Sequence, residues 1–234
     1  MRARSFPLYL TPAAVNYLRL NNRRTIERKI MKLLGTVGSP YARKVRIVAE
    51  EKLIPHHSIT ATPSDPNSGV QAANPLGKIP VLVCDDGSTL YDSSVIVEYF
   101  DGMGAGDKLI PVSFTDRIQV KRWESLGDGI ADATVEIVHD QRMPKSEQRG
   151  EALYTKQKKK IDNGLATMEE DLGSRQFCHG NSFTLADIAC GVALGYIDHA
   201  LPQFNWRKTH PNLSKLADRL AERATFNNTK HVPV

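Results

Sequence analysis

Between positions 31 and 100 the apolar residues come in short runs separated by Pro, Gly, Asn and Asp; beyond position 114 they recur every three or four residues over long stretches. The first pattern predicts strands over 32–37, 57–61, 81–84 and 88–91. Between them it predicts a helix from Ser39 to about Leu53, a short helix before Asn74 and another from Ser93 to about Gly102. In the first helix Val45, Val48, Ala49 and Lys52–Leu53 share a stripe, with Arg43, Lys44, Arg46, Glu50 and Glu51 elsewhere. Asp86–Gly87 supplies the positive backbone angles of a tight hairpin, so the third and fourth strands run antiparallel. The order describes a small mixed sheet with helices packed upon it.

Gly102, Gly104 and Gly106 end that unit, and 104–112 reads as a linker. The second pattern predicts helices over 114–141, 146–172, 184–200 and 212–223, punctuated by Pro144, Pro202 and Pro211. Thr184 and Asp187 form a reciprocal capping box, with Phe183 placed to staple against Ile188. The helix they open carries no charge between Asp187 and Asp198, which predicts the buried centre of an all-helical half.

With 234 residues and 41% hydrophobic content, the chain can bury two compact cores. Its formal charge of +5 is uneven: residues 1–30 carry +6, leaving a nearly neutral body. That basic segment is expected to be disordered, and a start codon placed too far upstream explains it more simply than organelle targeting. It lacks the aromatic interleaving of a nucleic-acid arm, so no nucleic-acid partner is expected. No run is long and apolar enough for a membrane span, so no membrane partner is expected either. Cys84, Cys178 and Cys190 have neither disulfide arithmetic nor metal-ligand spacing. They point to a reducing, cytoplasmic compartment and to no metal.

The candidate chemistry lies in 74–94. Pro80 opens an apolar run and cannot donate to a sheet ladder, so it belongs at a strand entrance, where a cis bond after Ile79 fits. Asp92 and Ser93 stand where a helix begins, bringing backbone donors, a hydroxyl and a carboxylate to one spot suited to an amino-acid-like ligand. Taken alone, Asp–Ser there is an ordinary helix cap.

Together with Ser39-Pro40-Tyr41-Ala42-Arg43-Lys44-Val45 and the capping box, these motifs are similar to those of the cytosolic glutathione S-transferases over essentially all of 31–234. Trp123, Gly127 to Ala133, Arg142, Pro144 and Trp206 to Pro211 resemble the bacterial YibF-like members. The resemblance implies a thioredoxin-like α/β domain over 31–103 that binds glutathione. An all-α domain over 113–234 would then shape an electrophile pocket, and the assembly would be a homodimer. It also implies that Ile79 pairs its backbone with the cysteinyl unit across a cis bond to Pro80. Asp92 and Ser93 hold the γ-glutamyl end, and Ser39 donates to the sulfur. Tyr41, Trp123, Asp128 and Ile130 become candidates for the second pocket, although core packing is the commoner role for such residues.

The reaction implied is thiol activation. A thiol with a pKa of ~8.5 is mostly protonated at neutral pH, and lowering it by two units takes roughly 2.7 kcal/mol of thiolate stabilisation. A serine hydroxyl and the positive end of a helix can share that work, although Ser–Pro is also a favoured cap. The substrates expected are glutathione and a small apolar electrophile. A glutathione-dependent isomerase, dehalogenase or peroxidase shares the same first-domain site, and a non-catalytic binding protein shares the fold.

Overall fold

The computed structural model describes residues 30–231. The expected basic extension over 1–30 falls outside them except for Ile30. Four strands form one sheet: β1 (Met31–Gly35), β2 (His56–Thr60), β3 (Val81–Val83) and β4 (Thr89–Leu90), in the order β2-β1-β3-β4. β1 and β2 are parallel, and the other pairings are antiparallel. Helix α1 (Pro40–Glu51) joins β1 to β2; α2 (Val70–Ala73) precedes β3; α3 (Ser93–Met103) follows β4.

Side chains alternate across the sheet, so adjacent residues serve different cores. Leu33 and Leu82, paired between β1 and β3, join Val45, Val48, Ile96 and Phe100 under α1 and α3. The next pair, Leu34 and Val81, faces Ala61 and Val70 on the α2 side. β2 forms the sheet edge, with His57 to Thr60 exposed.

The remaining helices are α4 (Phe114–Arg142), α5 (Gly150–Leu172), α6 (Leu185–Ala200), α7 (Pro211–Ala221) and α8 (Ala224–Asn228). The capping box forms as expected, with Asp187 accepting from the Thr184 amide at 2.9 Å and Thr184 Oγ1 accepting from Ala186 at 3.3 Å. From Leu185 to Ile197 almost the whole of α6 is buried, as its lack of charge predicts. It meets α4 at Gly127, where an added Cβ would stand 2.8 Å from the Ala189 carbonyl oxygen.

Three differences from the sequence reading have physical causes. α5 starts at Gly150 rather than 146 because Asp140, near the end of α4, caps it, accepting from the Arg149 and Gly150 amides at 2.8 and 3.0 Å. The polar side of α1 is not a solvated face: Arg43 and Lys44 are 6% and 1% exposed because the helical half packs over them. Leu53, placed on the apolar stripe, lies past the end of α1 at positive φ and is exposed.

Candidate functional site

The sheet register brings three sequence motifs to one end of the sheet. Leu34 opposes Val81 and Leu82 opposes Leu90, so the end of β1, the start of β3 and the end of β4 lie side by side. Two residues past Leu90, at the end of β4, stands Asp92, while on the other flank Gly35 leads through a turn into Ser39. The approach there is close: a Cβ on Gly35 would lie 3.0 Å from that of Ala42 and 4.0 Å from that of Pro80.

Ser39 caps α1, its Oγ accepting from the Ala42 amide at 3.2 Å, and Pro40 occupies the first helical position. The residue is buried. Accepting that bond leaves the hydroxyl hydrogen, which no hydrogen bond among the described residues engages.

The Ile79–Pro80 bond is cis. Among the described residues, no turn or loop backbone hydrogen bond uses the Ile79 N–H or C=O, so both are available to an extended peptide. The loop before it is braced by Asn74, whose side chain donates to the Lys78 carbonyl at 2.9 Å and accepts from the Leu76 amide at 2.9 Å. Asn74 is a supporting residue that the sequence reading missed; an Asn immediately before Pro, four residues ahead of the loop's end, is its only local signal. Lys78 is exposed.

Asp92 caps α3, accepting from the Ser94 amide at 3.0 Å and from the Ser94 hydroxyl. Partial burial works to raise its pKa, but the bonds from Ser94 and the field of Lys44 outweigh this and hold it below the usual carboxylate range. Ser93 is buried beside it, in the first turn of the helix. This helix start presents an exposed carboxylate beside the Ser93 N–H, the Ser94 amide being already spent on Asp92.

The Tyr41 hydroxyl is committed elsewhere: it donates to Asp132 of α4, and burial followed by that bond pushes its pKa up. Lys44 bridges the two halves, with Nζ 2.8 Å from Glu124 Oε1 and 2.7 Å from Asp128 Oδ2. Burial alone would lower the Lys44 pKa; Asp128 and Glu124 more than offset it and hold the amine charged. Of the pocket candidates, Trp123 and Ile130 belong to the core at 3% and 2% exposed, and Asp128 serves Lys44. Two concavities, about 300 Å³ beside Ile137 and Tyr154 and about 320 Å³ beside Asp101 and Ile110, lie away from Ser39, Ile79 and Asp92.

Family comparisons agree with this arrangement. The glutathione S-transferase N-terminal domain matches residues 38–103, the stretch holding Ser39, Ile79–Pro80 and Asp92–Ser93, and the C-terminal domain matches 151–219. The Escherichia coli GST-like protein YibF is 34% identical over 200 residues, covering 86% of this chain and 98% of that protein. The chain belongs to the glutathione S-transferase family. Among solved structures of this family, a Methylobacillus flagellatus glutathione S-transferase with glutathione bound is 45% identical with TM-score 0.83, covering 86% of this chain and 100% of its own. A Pseudomonas fluorescens glutathione transferase family member bound to S-(propanoic acid)-glutathione is 30% identical with TM-score 0.74, with coverage of 86% and 100%. Among the described residues no helix is long and apolar enough to cross a membrane, and no group of three or more His, Cys, Asp or Glu is placed to hold a metal.

Proposed function

We propose that this glutathione S-transferase family member conjugates glutathione to a small electrophile, with Ser39 donating its hydroxyl hydrogen to the sulfur anion. The observation that carries this reading is the convergence, at one end of the sheet, of a serine hydroxyl, the uncommitted backbone of Ile79 and the helix start at Asp92–Ser93. The cysteinyl unit of glutathione pairs with Ile79 beside the cis Pro80, as an added strand would. The γ-glutamyl end meets the Asp92 carboxylate through its ammonium, and the N–H groups around Ser93 through its carboxylate. The sulfur then lies at the mouth of α1, where the hydroxyl and the helix field favour the thiolate. The thiol proton passes to solvent, and attack of the thiolate on the electrophilic carbon forms the new C–S bond as the carbon's bond to its leaving group breaks, chloride departing with the electron pair from a chloronitroaromatic.

A unit over 31–103 binds glutathione, 104–112 links it, and the helical unit over 113–234 faces the electrophile. The S-(propanoic acid)-glutathione held by the Pseudomonas fluorescens relative is a sulfur-substituted adduct, the kind of product this chemistry makes. Ultraviolet titration of the bound thiolate tests the reading directly. Ser39→Ala should raise the pKa of bound glutathione by about 1–2 units and slow conjugation of a chloronitroaromatic roughly 10- to 100-fold, the worth of one hydrogen bond to a charged group. Glutathione binding with an unshifted thiol in the wild type would instead favour a binding protein of the same fold.

A further inference from the structure

Next to the glutathione site lies a group of cationic and imidazole side chains that the chemistry above does not use. Arg43 and Arg46 stand one turn apart on α1. The Arg43 Nη2 donates to the Phe226 carbonyl at 3.3 Å, and the Arg46 Nη2 donates to the Val37 carbonyl at 3.2 Å. At the end of α6, His199 stacks on His231 with ring centroids 4.7 Å apart and planes 16° from parallel, and the Tyr196 ring lies 5.5 Å from that of His231. Four buried nitrogens here have no hydrogen-bond partner among the described residues: Arg43 Nε, Arg46 Nε and both ring nitrogens of His231. Arg43 is 6% exposed.

Among the described residues, negative charge is scarce around them. Glu50 acts on Arg46, but its Oε2 already accepts from Asn228 at 3.0 Å, and the charge acting on Arg43 is Arg46 itself. Burial and that repulsion lower the Arg43 pKa to about 10. Burial, Arg43 and His199 push His231 down to about 3, outweighing the Val37 backbone, which faces the ring and works to raise it, so the ring is neutral at physiological pH. Arg142 adds a further guanidinium within electrostatic reach of Tyr196.

The group borders the sulfur position. Val37, which holds Arg46, is two residues before Ser39, a separation of at most about 7 Å along the chain. Tyr196 in turn lies close enough to Tyr41 to act on its ionisation. A substituent directed from the sulfur toward the Val37 turn would approach the guanidinium that this turn holds.

We infer that Arg43, Arg46, His199 and His231 receive a carboxylate, and that the second substrate is a small electrophile carrying one a few bonds from the reacting carbon. This rests on the reading of Ser39 as the thiolate donor, and it replaces the apolar electrophile expected from the sequence. Calorimetry on the full chain tests it with S-(2-carboxyethyl)glutathione, its uncharged amide counterpart S-(2-carbamoylethyl)glutathione, and glutathione itself. The carboxylate adduct should bind about tenfold more tightly than the amide in low salt, with the advantage shrinking as salt is added. Arg46→Met should cut that preference to about threefold or less and Arg46→Lys should keep part of it. His231→Phe, which leaves both guanidiniums, gives a second reading should Arg46→Met fail to fold. Equal binding of the two adducts, or a preference untouched by both Arg46→Met and His231→Phe, overturns the inference while leaving the glutathione reading standing. Failure of glutathione itself to bind overturns both.

Discussion

A hydroxyl at a helix start can accept and donate at once, and the two roles of Ser39 can be separated by substitution. Ser39→Asp keeps an acceptor for the Ala42 amide but has no hydrogen to give and places a negative charge against the sulfur. It should hold stability within about 0.5 kcal/mol of wild type in urea denaturation while losing conjugation at least as fully as Ser39→Ala; Ala should also lose about 1 kcal/mol of stability as its cap disappears. His231 carries a pH signature. Its folded pKa of about 3 lies below the ordinary value of 6.5, so the unfolded chain takes up the proton first as pH falls. Stability from its neutral burial is intact above that ordinary value and is lost on descending toward the folded one. The loss is at most about 1.4 kcal/mol per pH unit, and less because the ring is only half-buried. His231→Phe should flatten the fall in urea midpoint between neutral pH and pH near 5 relative to wild type. Ser39, Pro80 and Asp92–Ser93 were legible in the sequence because serine, proline and aspartate have fixed chemistry at element boundaries. The environment of His231 was not, since nothing near it in the chain names Arg43 or His199.

Helix α1 shows what an amphipathic pattern omits. Its apolar stripe marked the buried side through Val45, Val48 and Ala49 but failed at Leu53, and hydropathy names no partner for the charged residues off that stripe. The structure supplies Glu124 and Asp128 instead, 80 and 84 positions away, and buries the amine of Lys44 between them. Such an ion pair is costly to break from one side. Lys44→Met should destabilise the protein by about 3–5 kcal/mol in urea denaturation, with Glu124 left buried and only Lys121 beside it. Adding Glu124→Leu to Lys44→Met should recover much of that loss by removing the stranded charge. The start of α5 follows the same logic: the Asp140 cap comes from the preceding helix, so the residues around 146–150 carried no sign of it.

At the scale of the molecule, the order of motifs was enough to reveal the architecture, because the strand entrance, the hairpin and the capping box each fix one joint between elements. Contacts between the ends of the described chain were out of reach: Arg223 bonds Glu51 across 172 positions, joined there by Thr225, while Asn228 holds Glu50. The surface adds a prediction about assembly. Val95, Tyr99 and Met103 of α3 and Val112, Phe114 and Ile118 around the start of α4 are exposed large hydrophobics, bridged by the Arg117–Glu98 ion pair. We propose that two copies of the chain pair through this strip; Phe114→Asp should then shift the mass measured by light scattering from two chains to one without changing the unfolding free energy of the monomer by more than about 1 kcal/mol. The grip of α8 on α1 also bears on synthesis. A ribosome releases the amino-terminal half first, yet the residues that clasp α1 follow 172 to 183 positions later, so this helix should stay uncovered in the nascent chain until they emerge.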